Sequence, residues 1–300
     1  MSKLTKEQQE EFSRCAIDFP YFCEKYVNIY IPQQHVLPGA SINTAIIPFK
    51  LWPYQVRLYD HMEDNQFTIF SKFRGGGFST EVAIYCLWKC LFRLDQNILW
   101  LAKTDREATF VCESIVKRAL EYMPDWMKGN VMRMASSHDK KFPETDSRMF
   151  FGIPEAACGK AVSLLVIDEA SFIKNIDIHW KALWPCVSTG NAVVMSTPNL
   201  DTDWFWYTLE DARLKLNNFS EYQCHYQERP DFCSIDWQRE MKNTLGQMLW
   251  DREIGQVVGQ SIKESVASQL RKGPTKKLWR SIYDEWEGSL DIRGESVNDG

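Results

Sequence analysis

Short apolar runs alternate with helical stretches between residues 67 and 226. The runs are Phe67 to Phe70, NILWLA at 97–102, RMFFGI at 148–153, SLLVI at 163–167, AVVMS at 192–196 and EYQCHY at 221–226. Each is bounded by turn residues and has the length of a strand buried on both faces. Helical patterns fill the intervals near 79–94 and 105–122. This alternation predicts an α/β fold with a mostly parallel sheet flanked by helices. Outside it, residues 5–27 read as helix, with Phe12, Ile17 and Phe22 among charged residues, and a helix runs from Pro53 to Met62. Residues 30–50 are interrupted by proline and predict a loop or short strand arm. Residues 234–260 read as helical, and the more polar end carries Arg271, Lys272, Lys276, Lys277 and Arg280. The expected organisation is an N-terminal helical and arm region (1–50), a core (51–216), a helical subdomain (217–260) and a tail or linker (261–300).

Composition changes this picture little. The 300 residues are 44% hydrophobic and 25% charged, which is ordinary for a globular chain. The 12 tryptophans are assigned to core and subdomain packing. A formal net charge of −5 argues against a protein that coats nucleic acid passively, since phosphate neutralisation would demand a basic surface. Nine cysteines are scattered without a CxxC pair, and the five histidines are dispersed. A zinc site or disulfide frame is therefore not expected, and reduced intracellular thiols fit better. No apolar stretch is long enough to span a bilayer, and the amino terminus lacks a signal-peptide core.

The chemistry concentrates where strands end. Between the first apolar run and the following helix lies Ser71-Lys72-Phe73-Arg74-Gly75-Gly76-Gly77-Phe78-Ser79-Thr80. Glycines there let backbone N–H groups turn inward, and the helix start adds partial positive charge, which together cradle phosphate. The usual pattern places lysine directly before the Ser/Thr. Phe78 occupies that position, and Lys72 lies six residues earlier with Arg74 beside it. The phosphates require a cation near them, which Lys72 supplies from the start of the loop, while Ser79 takes the Mg²⁺-ligating hydroxyl position. A glycine-rich turn that binds nothing shares this local pattern.

A second strand ends in Asp168-Glu169. Asp168 suits the Mg²⁺ water shell and Glu169 the polarisation of an attacking water. A third ends in Ser196-Thr197-Pro198-Asn199, where a polar residue would sense a γ-phosphate, although the same residues make an ordinary turn. Upstream, Trp52-Pro53-Tyr54-Gln55 opens a helix, with a Gln amide able to read adenine and a Tyr able to stack. These four features follow one another at strand edges, where ligands of open α/β sheets bind. Their order predicts a P-loop NTPase of the ASCE/RecA-like type that uses ATP and Mg²⁺.

The residues resemble the ATPase half of tailed-bacteriophage large terminases, from about residue 16 to about residue 260. The resemblance rests on IPFKLWPYQ (47–55), SKFRGGGFST (71–80), ILWLAKTDREA (98–108), LEYMPDWM (120–127), LLVIDEASFI (164–173), WPCVSTGNAVVMSTPN (184–199) and WQREMKNTLGQMLWDREIGQ (237–256). It implies a deviant phosphate loop in which Lys72 opens the motif. Arg74 would act as a finger in cis, and Gly75, Gly76, Gly77, Phe78 and Thr80 would belong to the nucleotide cradle. Asp168 and Glu169 would form the Walker B pair. Ser196, Thr197 and Pro198 would couple hydrolysis to DNA movement, and Tyr54 and Gln55 would read adenine. The implied activity is ATP-driven translocation of double-stranded viral DNA into a procapsid in the host-cell cytoplasm. The implied partners are a portal protein, a small terminase subunit and further copies in a ring. Family members usually carry an RNase H-like nuclease half as well. About 40 residues follow Gly259, too few for such a domain. No nuclease activity is expected of these residues: either they belong to a longer protein, or the nuclease is a separate polypeptide and an expected partner.

Two other readings share these features. A helicase-like translocase would need a second RecA-like domain with its own arginine finger. A non-catalytic scaffold joining portal and nuclease is favoured by Phe78 and disfavoured by Lys72, Arg74, Asp168 and Glu169.

Overall fold

A run of apolar strands this short must be covered by helices on both sides, and the computed structural model has that arrangement. It describes residues 4–30, 46–129, 138–156, 161–199 and 203–257. The tail from 261, with its basic cluster, lies outside them.

Helices α1 (Lys6–Ile17) and α2 (Phe19–Tyr26) form the amino-terminal layer. They are two helices and not the single one expected over 5–27. Asp18 ends the first, and its side chain accepts from the Tyr21 N–H at 2.8 Å to start the second. A small antiparallel pair follows, β1 (Asn28–Tyr30) with β2 (Ile46–Pro48), and then α3 (Pro53–Asp64).

The main sheet contains β3 (Phe67–Ser71), β4 (Asn97–Leu101), β5 (Asp139–Phe142), β6 (Ser147–Gly152), β7 (Leu164–Asp168), β8 (Asn191–Ser196) and β9 (Ser220–Glu221). Their order is β5-β6-β4-β7-β8-β3-β9, parallel throughout except for the β5–β6 edge hairpin. The register sets Ser71 beside Ser196 and Asp168 beside Met195. The three strands that precede the candidate motifs therefore end at one edge.

Helix α4 (Phe78–Phe92) lies on one face and is buried nearly all round, against the sheet and against α1 and α2. Its Trp88 indole donates to the Cys15 carbonyl at 2.8 Å. On the same face, α5 (Asp105–Phe110) and α6 (Lys117–Tyr122) form one continuous rod joined by a π-helical turn, Val111–Val116, and α7 (Asp125–Lys128) follows. The other face carries α8 (Ile176–Val187) and α9 (Trp204–Arg213), packed on Phe67, Ile69, Leu165, Ile167 and Val194. The last helix, α10 (Ile235–Glu253), follows two 3-10 turns, Tyr226–Glu228 and Pro230–Cys233. Among the described residues no helix is long and apolar enough to cross a membrane.

Three expectations change. The run 221–226 contributes only Ser220–Glu221 to the sheet. Beyond it the Tyr222 hydroxyl turns to the Tyr54 carbonyl and Cys224 is buried, so side-chain packing replaces ladder pairing. This edge strand also carries the sheet past residue 216, where the core was expected to end. The helix expected over 234–260 ends at Glu253 and is broken at Gly246, whose φ of 74° and ψ of 160° are not helical.

Candidate nucleotide-binding site

The site begins with the end of β3. The Lys72 N–H donates to the Ser196 carbonyl at 2.8 Å, continuing the sheet for one residue before the chain turns into the loop. The Lys72 ammonium is buried and faces β7. It lies 2.5 Å from Asp168 Oδ1, 3.0 Å from Glu169 Oε1 and 3.1 Å from Ser79 Oγ. Lysine, both acids and the hydroxyl, which the sequence places up to 97 positions apart, thus meet at one point. Burial pulls the Lys72 ammonium down, and the Asp168 and Glu169 carboxylates more than reverse this, so the cation is held charged.

Glu169 adopts the left-handed conformation, with φ 54° and ψ 43°. That turn lifts its carboxylate out of the strand line. The Thr197 N–H donates to Glu169 Oε2 at 3.4 Å, a long contact, and the Glu169 N–H donates to Asp168 Oδ1 at 2.9 Å. Ser196 Oγ accepts from the Ser171 N–H at 3.2 Å and donates to the Thr197 carbonyl at 2.8 Å. The strand tips of β7 and β8 are thereby tied together, and Pro198 continues from them in a buried position. The Thr197 hydroxyl is buried without a hydrogen-bond partner among the described residues.

A cleft of about 170 Å³ opens above these groups, lined by residues 72–80, Glu169 and Thr197. Its floor is the start of α4, whose capping residue Gly77 has a φ of 76°. Such an exposed helix start aims backbone N–H groups at the cleft and favours an anion there. A side chain at Gly76 would collide with the Phe78 ring at 2.4 Å, so that position admits only glycine without repacking. Phe78 itself is 2% exposed and packs on Tyr54, Phe70 and Phe73. The slot usually filled by lysine has become core, and the cation enters from Lys72 instead.

Two groups of expected site residues hold other partners in this structure. Tyr54 is fully buried, its ring against Phe73 and Phe78, and its hydroxyl donates to the Gly76 carbonyl at 2.9 Å. It props the loop from below and has no free face for a base. Gln55 is 1% exposed and accepts from the Trp52 N–H at 2.9 Å, capping α3. Arg74 lines the cleft, but its guanidinium turns away from Lys72: Nε donates to Glu253 Oε2 at 2.6 Å, and the Arg74 N–H donates to the Glu253 carbonyl at 2.6 Å. Gln256 reaches the same loop, donating to the Ser71 carbonyl at 2.7 Å.

Sequence reasoning singled out neither Glu253 nor Glu81. Glu253 meets Arg74 across 179 positions, and no local motif marks it. Glu81 sits in the first turn of α4, fully buried, with neither oxygen hydrogen-bonded in normal geometry among the described residues. Burial raises its carboxyl well above the usual range, and the nearby Gln55 amide offsets this only in part. A folded-state pKa above the unfolded value means stability is greatest below the unfolded pKa and is lost as pH rises toward the folded one. Glu81→Gln cannot ionise. Its melting temperature, relative to the parent protein, should therefore increase from about pH 5 to about pH 8. A gap that stays constant across that range would show that Glu81 keeps the same charge folded and unfolded.

The donor set fits a magnesium ion. Mg²⁺ retains several waters and takes one or two protein oxygens together with substrate phosphates. Ser79 Oγ and Asp168 Oδ1 share the Lys72 ammonium and so lie close to one another. Among the described residues no cluster of three or more His, Cys, Asp or Glu is arranged to hold a metal by protein groups alone.

No protein-family model matches the sequence. Solved structures match the fold. The large-terminase ATPase domain of Thermus phage P74-26 aligns with a TM-score of 0.58 at 15% identity, covering 70% of this chain and 95% of that domain. The large terminase of bacteriophage HK97 aligns with a TM-score of 0.59 at 15% identity, over 80% of this chain and 54% of that one. The large terminase of a thermophilic bacteriophage, solved in complex with ADP, aligns with a TM-score of 0.55 at 13% identity, over 69% of this chain and 53% of that one. The chain thus spans about half the length of the whole large terminases it matches. The fold of this chain is that of the ATPase domain of phage large terminases.

Proposed function

We propose that this chain hydrolyses ATP as the motor part of a phage large terminase, coupling the reaction to translocation of double-stranded DNA. The observation that carries this reading is the convergence of Ser79, Asp168 and Glu169 within 3.1 Å of the Lys72 ammonium at the mouth of a glycine-rich loop.

In this reading the triphosphate lies along residues 72–80 with its γ end toward β7 and β8. Ser79 and, through water, Asp168 would hold Mg²⁺, which neutralises charge on the β and γ oxygens. Lys72 transfers its ammonium from the carboxylates to the phosphates, where it stabilises the charge that develops on the transferred phosphoryl. Glu169 is released by that transfer to orient the attacking water and accept its proton. Thr197, linked to Glu169 through its N–H, registers loss of the γ-phosphate and passes it along the Ser196-Thr197-Pro198 segment. The contacts of Glu253 and Gln256 with the loop support transmission to α10. The Lys72 ammonium beside Asp168 and Glu169, in place of a lysine at 78, supports an active enzyme over a scaffold. A ring of copies on a portal protein, a small terminase subunit and a nuclease in another domain or chain complete the assembly.

Phosphate release measured with Mg²⁺, with EDTA, and with or without linear duplex DNA tests this function. Release that needs the metal and rises with DNA is expected. No release under any condition would remove the ATPase reading, and release indifferent to DNA would remove the translocase reading.

Arg74 must leave Glu253 to reach a phosphate. Arg74→Ala is expected to lower turnover by at least about 10²-fold, as for loss of a group that acts on the transition state. The melting temperature should barely move, because the Arg74 side chain is 64% exposed and Glu253 keeps Arg252 at 2.9 Å. Unchanged turnover would exclude Arg74 from the reaction.

A further inference from the structure

The cleft above the loop accounts for the phosphates and leaves the nucleoside unplaced. Its volume of about 170 Å³ is below that of a site enclosing a whole drug-sized ligand, about 300 Å³ or more. The acids and Thr197 stand at the ends of β7 and β8, and the loop follows β3. With the γ end fixed on the β8 side of β3, the other end of the ligand runs toward β9, the neighbour of β3 on its far side. The chain leaving β9 builds the turns Tyr226–Glu228 and Pro230–Cys233 there, at the same carboxyl edge.

Arg229 stands between those turns. One terminal nitrogen of its guanidinium donates to the Gly75 carbonyl, in the cleft wall, and the other lies 3.1 Å from Asp231. Its central carbon sits 4.5 Å from the centroid of the Phe232 ring. Phe232 in turn stacks on Trp237, with centroids 4.0 Å apart and planes inclined by 12°. Phe232 also touches the loop, lying 3.1 Å from where a Gly75 side chain would begin. The guanidinium is therefore held by two polar partners and lies over the Phe232 ring, itself stacked on Trp237, while the side chain stays 24% exposed. Its Nε is buried with no hydrogen-bond partner among the described residues.

We infer that Arg229, backed by Phe232 and Trp237, is the platform on which the purine base of the bound nucleotide stacks. The inference rests on the nucleotide reading of the 72–80 loop and takes the place of the buried Tyr54. A guanidinium stacks on a π-system through its flat face and through charge. Its contacts with Gly75, Asp231 and Phe232 hold it in place before the ligand arrives, which limits the ordering cost of binding.

The test compares ATP with inorganic tripolyphosphate, which has the phosphates and no base. Affinities of both are measured calorimetrically with Mg²⁺ on the full chain, for the parent, Arg229→Ala and Arg229→Lys. Arg229→Ala should weaken ATP by about 10-fold, the scale of losing one base-stacking partner, and leave tripolyphosphate within about 2-fold. Arg229→Lys keeps the charge and loses the plane, and should remain weakened toward ATP. Equal weakening of both ligands would show that Arg229 merely props Gly75, and unchanged ATP affinity would show no contact at all. Either result overturns the platform and leaves the phosphate loop standing. A parent protein that binds neither ligand would overturn the nucleotide reading and the platform with it. An unchanged tripolyphosphate affinity also certifies that the variants are folded at the loop.

Discussion

Lys72→Ala is expected to abolish measurable ATP turnover, with a loss of at least about 10²-fold, equivalent to about 2.7 kcal/mol of transition-state stabilisation. The same change leaves Asp168 and Glu169 facing each other without their shared cation. Removing one partner of a buried pair costs about 3–5 kcal/mol, so the nucleotide-free variant should also melt markedly lower. Phosphate release at saturating ATP and a thermal melt read the two effects separately. A double variant, Lys72→Ala with Phe78→Lys, restores lysine at the usual position of the motif and should not recover activity. Residue 78 points into the aromatic cluster of Tyr54, Phe70 and Phe73, away from the phosphates. Normal turnover in Lys72→Ala would sink the assignment of the displaced lysine, and rescue by the double variant would show that the slot at 78 still faces the ligand.

Glu169→Gln should be as damaging to turnover, at least about 10²-fold, while nucleotide affinity stays within a few-fold of the parent. The amide has the size of the carboxylate and retains an oxygen for the Thr197 N–H. It lacks the capacity to take a proton from water. Chemistry and binding are thus expected to separate, which the lysine variant does not achieve because Lys72 touches both. Single-turnover hydrolysis alongside equilibrium binding makes the distinction. A glutamine variant that turns over normally would remove Glu169 as the base.

The parts of this molecule legible in its sequence are those fixed by neighbours along the chain. The strands β3, β4, β6, β7 and β8 announce themselves as apolar runs, and the loop and acid pair follow them directly. What was missed depends on distant contacts. β5 reads Asp139-Lys140-Lys141-Phe142, with two lysines and an aspartate on a sheet edge, so no apolar run marks it. Tyr54 has the chemistry of a base-stacking residue, and only the packing of Phe73 and Phe78 around it shows that its faces are taken. Arg74 is a loop cation by sequence, and its partner Glu253 is a charged residue on a helix like many others. Glu81 looks like a favourable acid in a first helical turn, and its burial follows from the layer that α1 and α2 add above α4.

The route by which Lys72 reaches its partners also separates two duties that ordinary phosphate loops combine. When the lysine belongs to the helix start, any opening of the loop carries the charge away with it. Here the backbone of Lys72 is stitched to β8, so its anchor lies in the central sheet. The ammonium is thus kept within reach of the acids by the sheet and not by the glycines. Electrostatic poise is built into the scaffold, and the glycines are left with the simpler task of shaping the cradle.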